Sequence, residues 1–198
     1  MATLAHLQSV VAAKSHASVV HCSVDEARQA LGFDVAAMRR DGFDPAIIEE
    51  HEAINDVINS FLSDPIIGEY VTTLTPREIY CASGVRVLPL KTIRNEIIPG
   101  AGPGGYMFPH GYLVFATSIG GNAICFSSRG GVVWADHDSF TDDLITYKNR
   151  TTGEWRSVSF ARDNIELAIV KLADNSPKFL TELLNDELKN SLDSLDLG

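Results

Sequence analysis

The sequence predicts an α+β fold. Segments with helical periodicity come first, short β-branched segments follow, and further helical segments end the chain, which is an order typical of α+β proteins. Tyr112 to Phe140 holds three apolar runs rich in β-branched and aromatic residues, joined by the sequences SIGGN and SRGG. Because glycine and asparagine adopt the positive φ angles of tight hairpin loops, this stretch predicts an antiparallel meander with a structural turn at Gly120, Gly121 and Asn122.

Helices are predicted ahead of the strands. Ser23 and Glu26 have the spacing of a capping box, which begins a short helix that ends at Gly32. Asp44 and Pro45 suit the N-cap and the first position of a longer helix. Apolar residues recur along it at steps of three and four, so we expect one buried face.

The rest of the chain is predicted to be extended structure, then helix. Residues 70–98 contain short β-branched segments broken by prolines and a glycine, which predicts extended structure with irregular edges. Residues 99–105 are rich in glycine and proline and predict a loop. A polar stretch after the meander predicts a hairpin around Gly153. Two further helices are predicted, over 160–172 and from Pro177 onward.

Charge favours a protein partner over nucleic acid. The 198 residues include 26 Asp and Glu against 16 Lys and Arg, which gives a net charge of −10. Because affinity for nucleic acid depends mainly on Lys and Arg at phosphates, binding to DNA or RNA is disfavoured. An acidic surface attracts a basic protein, although it also simply keeps a protein soluble.

Cysteine usage and hydropathy predict a cytoplasmic protein. Cys22, Cys81 and Cys125 lie far apart and form no CxxC pair, which argues against a disulfide framework and a zinc site. The N-terminus lacks a basic region ahead of its apolar residues, and no stretch reaches the roughly 18 apolar residues of a membrane span. We therefore expect no membrane partner.

A glycine motif resembles a nucleotide site without its context. Gly100, Gly102 and Gly105 match GxGxxG, which needs a preceding strand and a following helix whose N-terminus meets the pyrophosphate. The residues after Gly105 lead into strand-like sequence, so we interpret the motif as a loop and expect no cofactor.

One triplet of consecutive residues carries side chains of the kinds found in metal sites and catalytic sites. Asp136, His137 and Asp138 can bind a divalent metal or act as acid and base. In a strand, however, the two carboxylates point to one face and the imidazole to the other, so we expect neither a metal site nor catalytic residues. We interpret the triplet, together with Trp134, as a strand end that contacts a partner. Tryptophans such as Trp134 and Trp155 belong either to a core or to an interface.

Residues 106–172 resemble the SUKH superfamily, which is built around a fungal cell-wall assembly regulator and many bacterial toxin-immunity proteins. Its members show an aromatic strand that ends in a Ser/Asp-x-Gly-Gly-Asn/Asp turn, a second strand, and a strand end with Asp and His. A later Ser-Phe pair begins a C-terminal helix. The matching residues here are Phe115, Ser118, Gly120, Gly121, Asn122, Trp134, Asp136, His137, Ser159 and Phe160.

The resemblance implies a curved antiparallel sheet flanked by N- and C-terminal helices. We expect an N-terminal helical region in residues 1–66 and a SUKH-like α+β domain in residues 67–198, packed as one compact unit. The resemblance also implies a protein that is not an enzyme and that binds another protein.

The function expected from the resemblance is that of an immunity-type protein, which binds and neutralises a toxin; a basic toxin domain is the partner that its charge suits. One alternative is a regulatory or scaffolding domain like the fungal regulator. The other is a metal-dependent hydrolase that uses Asp136, His137 and Asp138.

Overall fold

The computed structural model of this protein describes residues 19–185 together with 187 and 188. Its strands, in chain order, are β1 Tyr80–Ala82, β2 Val85–Val87, β3 Tyr112–Ser118, β4 Ala123–Ser127, β5 Val132–Ala135, β6 Leu144–Lys148, β7 Trp155–Ser159 and β8 Ile169–Ala173. Six of them form one antiparallel sheet in the order β1-β2-β3-β4-β5-β8, and β6 pairs with β7 as a separate hairpin. The sheet is not closed, which agrees with the expected curved sheet.

Helices precede, interrupt and follow the sheet. They are α1 Val24–Leu31, α2 Val35–Arg40, α3 Pro45–Ser63, α4 Pro65–Glu69, α5 Leu90–Glu96, α6 Gly102–Met107, α7 Arg162–Ala168 and α8 Ser176–Leu184. The predicted α+β class is therefore confirmed. No helix in the described part of the chain is long and apolar enough to cross a membrane.

The predicted helix starts are confirmed. The Glu26 backbone N–H donates to Ser23 Oγ (3.2 Å), and the Ser23 N–H donates to Glu26 Oε2 (2.7 Å), which is the reciprocal pair of a capping box. The Ser23 backbone N–H and, at 2.9 Å, the Ser23 hydroxyl both donate to the Glu26 carboxylate, and these two bonds lower the pKa of that carboxyl. Asp44 caps α3, since its carboxylate accepts from the Ala46 N–H at 2.8 Å. The capping residues alone were therefore enough to predict where these two helices begin.

The meander β3–β4–β5 forms the centre of the core. Every residue of these three strands is buried, and the rings of Phe115 and Phe126 stack at 4.1 Å between centroids. Tyr70, from a π-helical turn at Tyr70–Leu74, packs edge-on against both rings. Its hydroxyl has no hydrogen-bond partner among the described residues, so burial raises the pKa of Tyr70.

Helices α1 and α3 share this core. Ala27 and Leu31 of α1, and Ile54 and Ile58 of α3, belong to the same cluster of buried side chains as Phe115. Residues 1–18 of the expected N-terminal region lie outside the described residues, and so do residues 189–198 at the other end of the chain.

The prediction of extended structure over 70–98 is largely wrong. Only β1 and β2 are extended, whereas Tyr70–Leu74 is π-helical and Leu90–Glu96 is α-helical. β-branched residues favour strands but do not exclude helices, so tertiary context decides the outcome. Pro89, interpreted as a break, is instead the N-cap of α5. A proline at a helix start removes no intrahelical bond, so it does not exclude the helix that follows.

Residues 99–105 are also not simply a loop, because α6 begins within them. The GxGxxG match lacks a preceding strand, since α5 precedes it, and the glycines have a packing role. A Cβ atom at Gly104 would overlap the carbonyl oxygen of Glu96, and one at Gly105 would overlap that of Ile98. Glycine therefore allows α6 to approach the end of α5.

The C-terminal prediction is partly confirmed. The hairpin around Gly153 is present, and this glycine has φ +72°. The helix expected over 160–172 ends at Ala168, and the chain then continues as β8, paired with β5. The last helix begins at Ser176, close to the expected Pro177, and Asn175 caps it by accepting from the Lys178 N–H at 2.8 Å.

Candidate protein-binding groove

The structure brings the predicted turn and the predicted triplet to one corner of the sheet. Ala123, which begins β4, pairs with Ala135, which ends β5. As a result, the Asn122 side chain faces the segment after β5. Its Oδ1 accepts from the His137 backbone N–H at 3.0 Å and lies 3.0 Å from His137 Nδ1. The turn therefore positions the imidazole.

The β3–β4 turn depends on one glycine more than on the other residues. Gly121 has φ +92°, whereas Gly120 and Asn122 do not adopt positive φ. The Gly121 N–H donates to the Ser118 carbonyl at 3.1 Å, and the Ser118 N–H donates to the Asn122 carbonyl at 2.9 Å. Of the three turn residues that can adopt positive φ, only Gly121 does so.

The triplet does not alternate as a strand. β5 ends at Ala135, Asp136 is the N-cap of a 3₁₀ turn at His137–Ser139, and the Asp138 N–H donates to Asp136 Oδ1 at 2.8 Å. One potential ligand atom from each side chain lies within 4.8 Å of the others. The expected separation of His137 from the two carboxylates is therefore wrong, because the strand ends one residue before the triplet.

If these three side chains bound a divalent cation, they would compete with the contacts that order the turn. His137 Nε2 lies 3.3 Å from Asp138 Oδ1, and its Nδ1 lies near both Asn122 and Asp136. Asp136 already accepts a backbone hydrogen bond. Two carboxylates and an imidazole suit zinc and similar ions, but the same contacts also serve to cap the end of β5.

A groove lies beside Asp136, between the tip of the β6–β7 hairpin and the start of β8. Its volume is about 330 Å³. Apolar and aromatic side chains make up more than half of its lining residues: Trp134, Tyr147, Trp155, Leu167, Ala168, Ile169 and Val170. We call it the Trp groove. Among the residues predicted to contact a partner, Trp134 and Asp136 line it.

The two tryptophans of the Trp groove differ in exposure. Trp134 lies in β5, opposite Val170 of β8, and is 8% exposed. Trp155 begins β7, opposite Lys148, and is 57% exposed, while Leu167 of α7 is 42% exposed. Large apolar side chains are therefore held at the surface around a concave site, which is typical of binding surfaces.

The hairpin is attached to the sheet through its loop. The Arg150 guanidinium donates from Nη2 to the Ile169 carbonyl of β8 at 2.8 Å. Asn149 orders the loop itself, since its Oδ1 accepts from the N–H groups of Thr151 and Thr152 at 2.9 and 3.0 Å. These bonds fix the position of Trp155 relative to β8.

The lining of the Trp groove carries charges of both signs. Asp136 is its carboxylate, and Lys148 and Arg150 are its cations. The Arg150 guanidinium is occupied by its bond to β8. The turn that contains Asp136 is acidic, since the exposed Asp138 lies in it as well.

Sequence reasoning missed several groove residues. Tyr147 and Leu167 carried no distinctive signal, since each occurs where a core residue is equally expected. For Trp155, the sequence leaves a core position and an interface position both open. Its neighbours in β7 are mostly polar, and a large aromatic residue in such a strand is the signal that indicates a surface role.

The chain matches no protein-family model, no curated protein and no solved structure. The SUKH resemblance therefore stays a prediction that depends on its quoted residues. One of its elements fits poorly: Ser159 ends β7, and α7 begins two residues after Phe160, with Ala161 as its N-cap and no side-chain capping bond.

Proposed function

We propose that this protein is a non-enzymatic binding domain of the immunity type, which binds a toxin and neutralises it in the cytoplasm. The observation that carries the proposal is the Trp groove, where the exposed Trp155 and Leu167 flank a concave apolar site. Tryptophan and tyrosine are the residues most enriched at binding hot spots, and such hot spots lie in pockets that exclude water.

The charge of the whole protein indicates the kind of toxin. A basic protein can insert an apolar side chain between the tryptophans and place Lys or Arg near Asp136 and Asp138, in the acidic turn beside the groove. The net charge of −10 would steer such a partner toward the protein and raise the association rate, while the buried aromatic contacts would set the dissociation rate. The SUKH resemblance supports the same class of partner.

The test is co-purification with the product of any toxin gene that lies beside this gene, followed by rescue of growth. Trp155→Ala is expected to weaken the complex at least about tenfold, since a hot-spot truncation costs more than about 1.4 kcal/mol. Leu144→Ala is the matched control: Leu144 is 45% exposed on the same hairpin but does not line the groove. It should change affinity less than about twofold.

Two results contradict the proposal. A toxin-bearing strain that grows normally after deletion of this gene would exclude an immunity role. Equal loss of affinity with Trp155→Ala and Leu144→Ala would exclude the Trp groove as the binding surface. An isolated gene whose product binds a host protein would instead favour the regulatory or scaffolding role.

A metal-dependent hydrolase is the second candidate, because Asp136, His137 and Asp138 bring three ligand atoms together. Metal analysis of the purified protein separates it from the first. A stoichiometric ion that is lost in His137→Ala would favour the hydrolase. Absence of an ion, with toxin binding unchanged in His137→Ala, would dispose of it.

A further inference from the structure

A second cavity lies against α3, away from the Trp groove. It has a volume of about 380 Å³ and shares no lining residue with that groove. Its walls are mainly apolar and aromatic: Ile54, Val57, Pro99, Tyr106, Pro109 and Phe160. We call it the α3 cavity. Its volume falls at the lower end of the range for small-molecule sites, roughly 300–1,000 Å³.

The acidic side chains that line the α3 cavity are not matched by Lys or Arg among its described lining residues. Glu50 of α3 and Asp142 of the β5–β6 connection line it, and the described lining residues include no Lys or Arg. His110 also lines it, but burial, and then the nearby Arg162, lower the pKa of this imidazole. Two solvent-exposed carboxylate residues therefore line an apolar space that has no Lys or Arg among its described lining residues.

One of these carboxylates is held in place. The Tyr106 hydroxyl donates to Asp142 Oδ1 at 2.8 Å. This hydrogen bond raises the pKa of Tyr106, and the slight burial and negative charge near its hydroxyl add to the shift. The phenol thus stays protonated as a donor at neutral pH, and Asp142 is oriented before any ligand arrives, which reduces the ordering cost of binding.

Aromatic rings form the wall beside the carboxylates. The centroids of Tyr106 and Phe160 are 5.8 Å apart, and those of His110 and Phe160 are 5.7 Å apart. A cation within about 6 Å of such a ring face is attracted by the ring quadrupole. Carboxylates and ring faces together favour a positively charged group over a neutral or negative one.

We propose that the α3 cavity binds a small organic cation, with an aliphatic or aromatic body against Val57 and Phe160 and an ammonium group near Asp142 and Glu50. This site is separate from the Trp groove and does not depend on the proposed function. The same chemistry occurs in the lysine and arginine side chains of a partner protein. The apolar volume, which exceeds what a single ammonium head needs, favours a free amine.

The test is calorimetric titration of the purified full-length protein with phenethylamine. We expect saturable binding of one equivalent. The neutral analogue 2-phenylethanol has nearly the same shape and should bind at least about fivefold more weakly, because it lacks the charge. N-acetylargininamide represents the side chain of a partner protein and should bind more weakly than phenethylamine.

Charge-neutralising variants locate the site. Asp142→Asn and Glu50→Gln should each weaken phenethylamine binding about fivefold or more. The chain provides matched controls one residue away in Asp143→Asn and Glu49→Gln, which remove the same charge outside the cavity lining. These controls should change the affinity less than about twofold.

The proposal is overturned by any of three outcomes: equal affinity for 2-phenylethanol, equal weakening by the control variants, or binding of N-acetylargininamide without binding of phenethylamine. A variant that fails to fold is recognised by loss of its cooperative unfolding transition. In that case Tyr106→Phe replaces Asp142→Asn, since it keeps the ring, releases the carboxylate and should also weaken binding.

Discussion

The meander β3–β5 and the hairpin β6–β7 are both antiparallel and both turn at glycines, yet their environments are opposite. Every residue of the meander strands is buried, whereas no residue of β7 is. The difference is visible in sequence: the meander runs are mainly apolar, as in strands covered on both faces, while β7 is mostly polar. The meander contributes stability. In the hairpin, β6 places Ile145 in the core, and β7 is left to carry a binding surface.

The two tryptophans give the largest test of this contrast. Trp134→Ala in β5 should lower the free energy of unfolding by about 3–5 kcal/mol, because it leaves a cavity in a packed site. Trp155→Ala in β7 should cost less than about 1 kcal/mol, since this side chain is already half in water. Urea denaturation of both variants measures the difference. Similar losses would show that the hairpin is part of the stabilising core.

Two turn glycines, one in the meander and one in the hairpin, test the same difference between the two regions at the level of the backbone. Gly131 precedes β5 with φ +83°, and a Cβ atom there would overlap the carbonyl oxygen of Ala173. Gly153 in the hairpin has φ +72° with no heavy atom within 4 Å of that position.

We expect Gly131→Ala to lower the free energy of unfolding by about 2–3 kcal/mol and Gly153→Ala to lower it by about 1 kcal/mol. Both variants strain the backbone at positive φ, but only Gly131→Ala adds a steric clash. Thermal unfolding at one protein concentration compares them. A larger loss for Gly153→Ala would reverse the ranking of the two regions.

The smallest predicted change is a gain in the free energy of unfolding. Tyr70→Phe removes a hydroxyl that is buried against Phe115 and Phe126 without a partner among the described residues. The free energy of unfolding should rise by about 1 kcal/mol, because no hydrogen bond is lost and a desolvated polar group is removed. Ser157→Ala in β7 is the control and should be close to neutral, since its contact with Thr146 is exposed. A destabilised Tyr70→Phe would indicate that the hydroxyl does make a bond.

Features set by local chemistry could be predicted from the sequence. The capping box at Ser23, the cap at Asp44 and the glycine turns of the meander each depend on residues within a few positions of one another. Strand β8 could not be predicted in this way. It follows α7 without a break, and its partner β5 lies more than thirty residues earlier, so only tertiary pairing makes it a strand.

Two of the four residues predicted to contact a partner, Trp134 and Asp136, line the Trp groove, and their part in binding stays a prediction. The groove itself could not be foreseen, because its other wall comes from the hairpin folding back toward β8. The convergence of Asp136, His137 and Asp138 was missed for a smaller reason: the position at which β5 ends decides where their side chains point, and strand ends are weakly encoded.

The bond from Arg150 to the Ile169 carbonyl has a consequence for how another molecule can join the sheet. It occupies a main-chain acceptor of β8, one of the two outermost strands. The other outermost strand, β1, is only three residues long. Short or covered edges are poor templates for strand addition. Intermolecular sheet growth is therefore discouraged, and recognition by this protein falls to side chains.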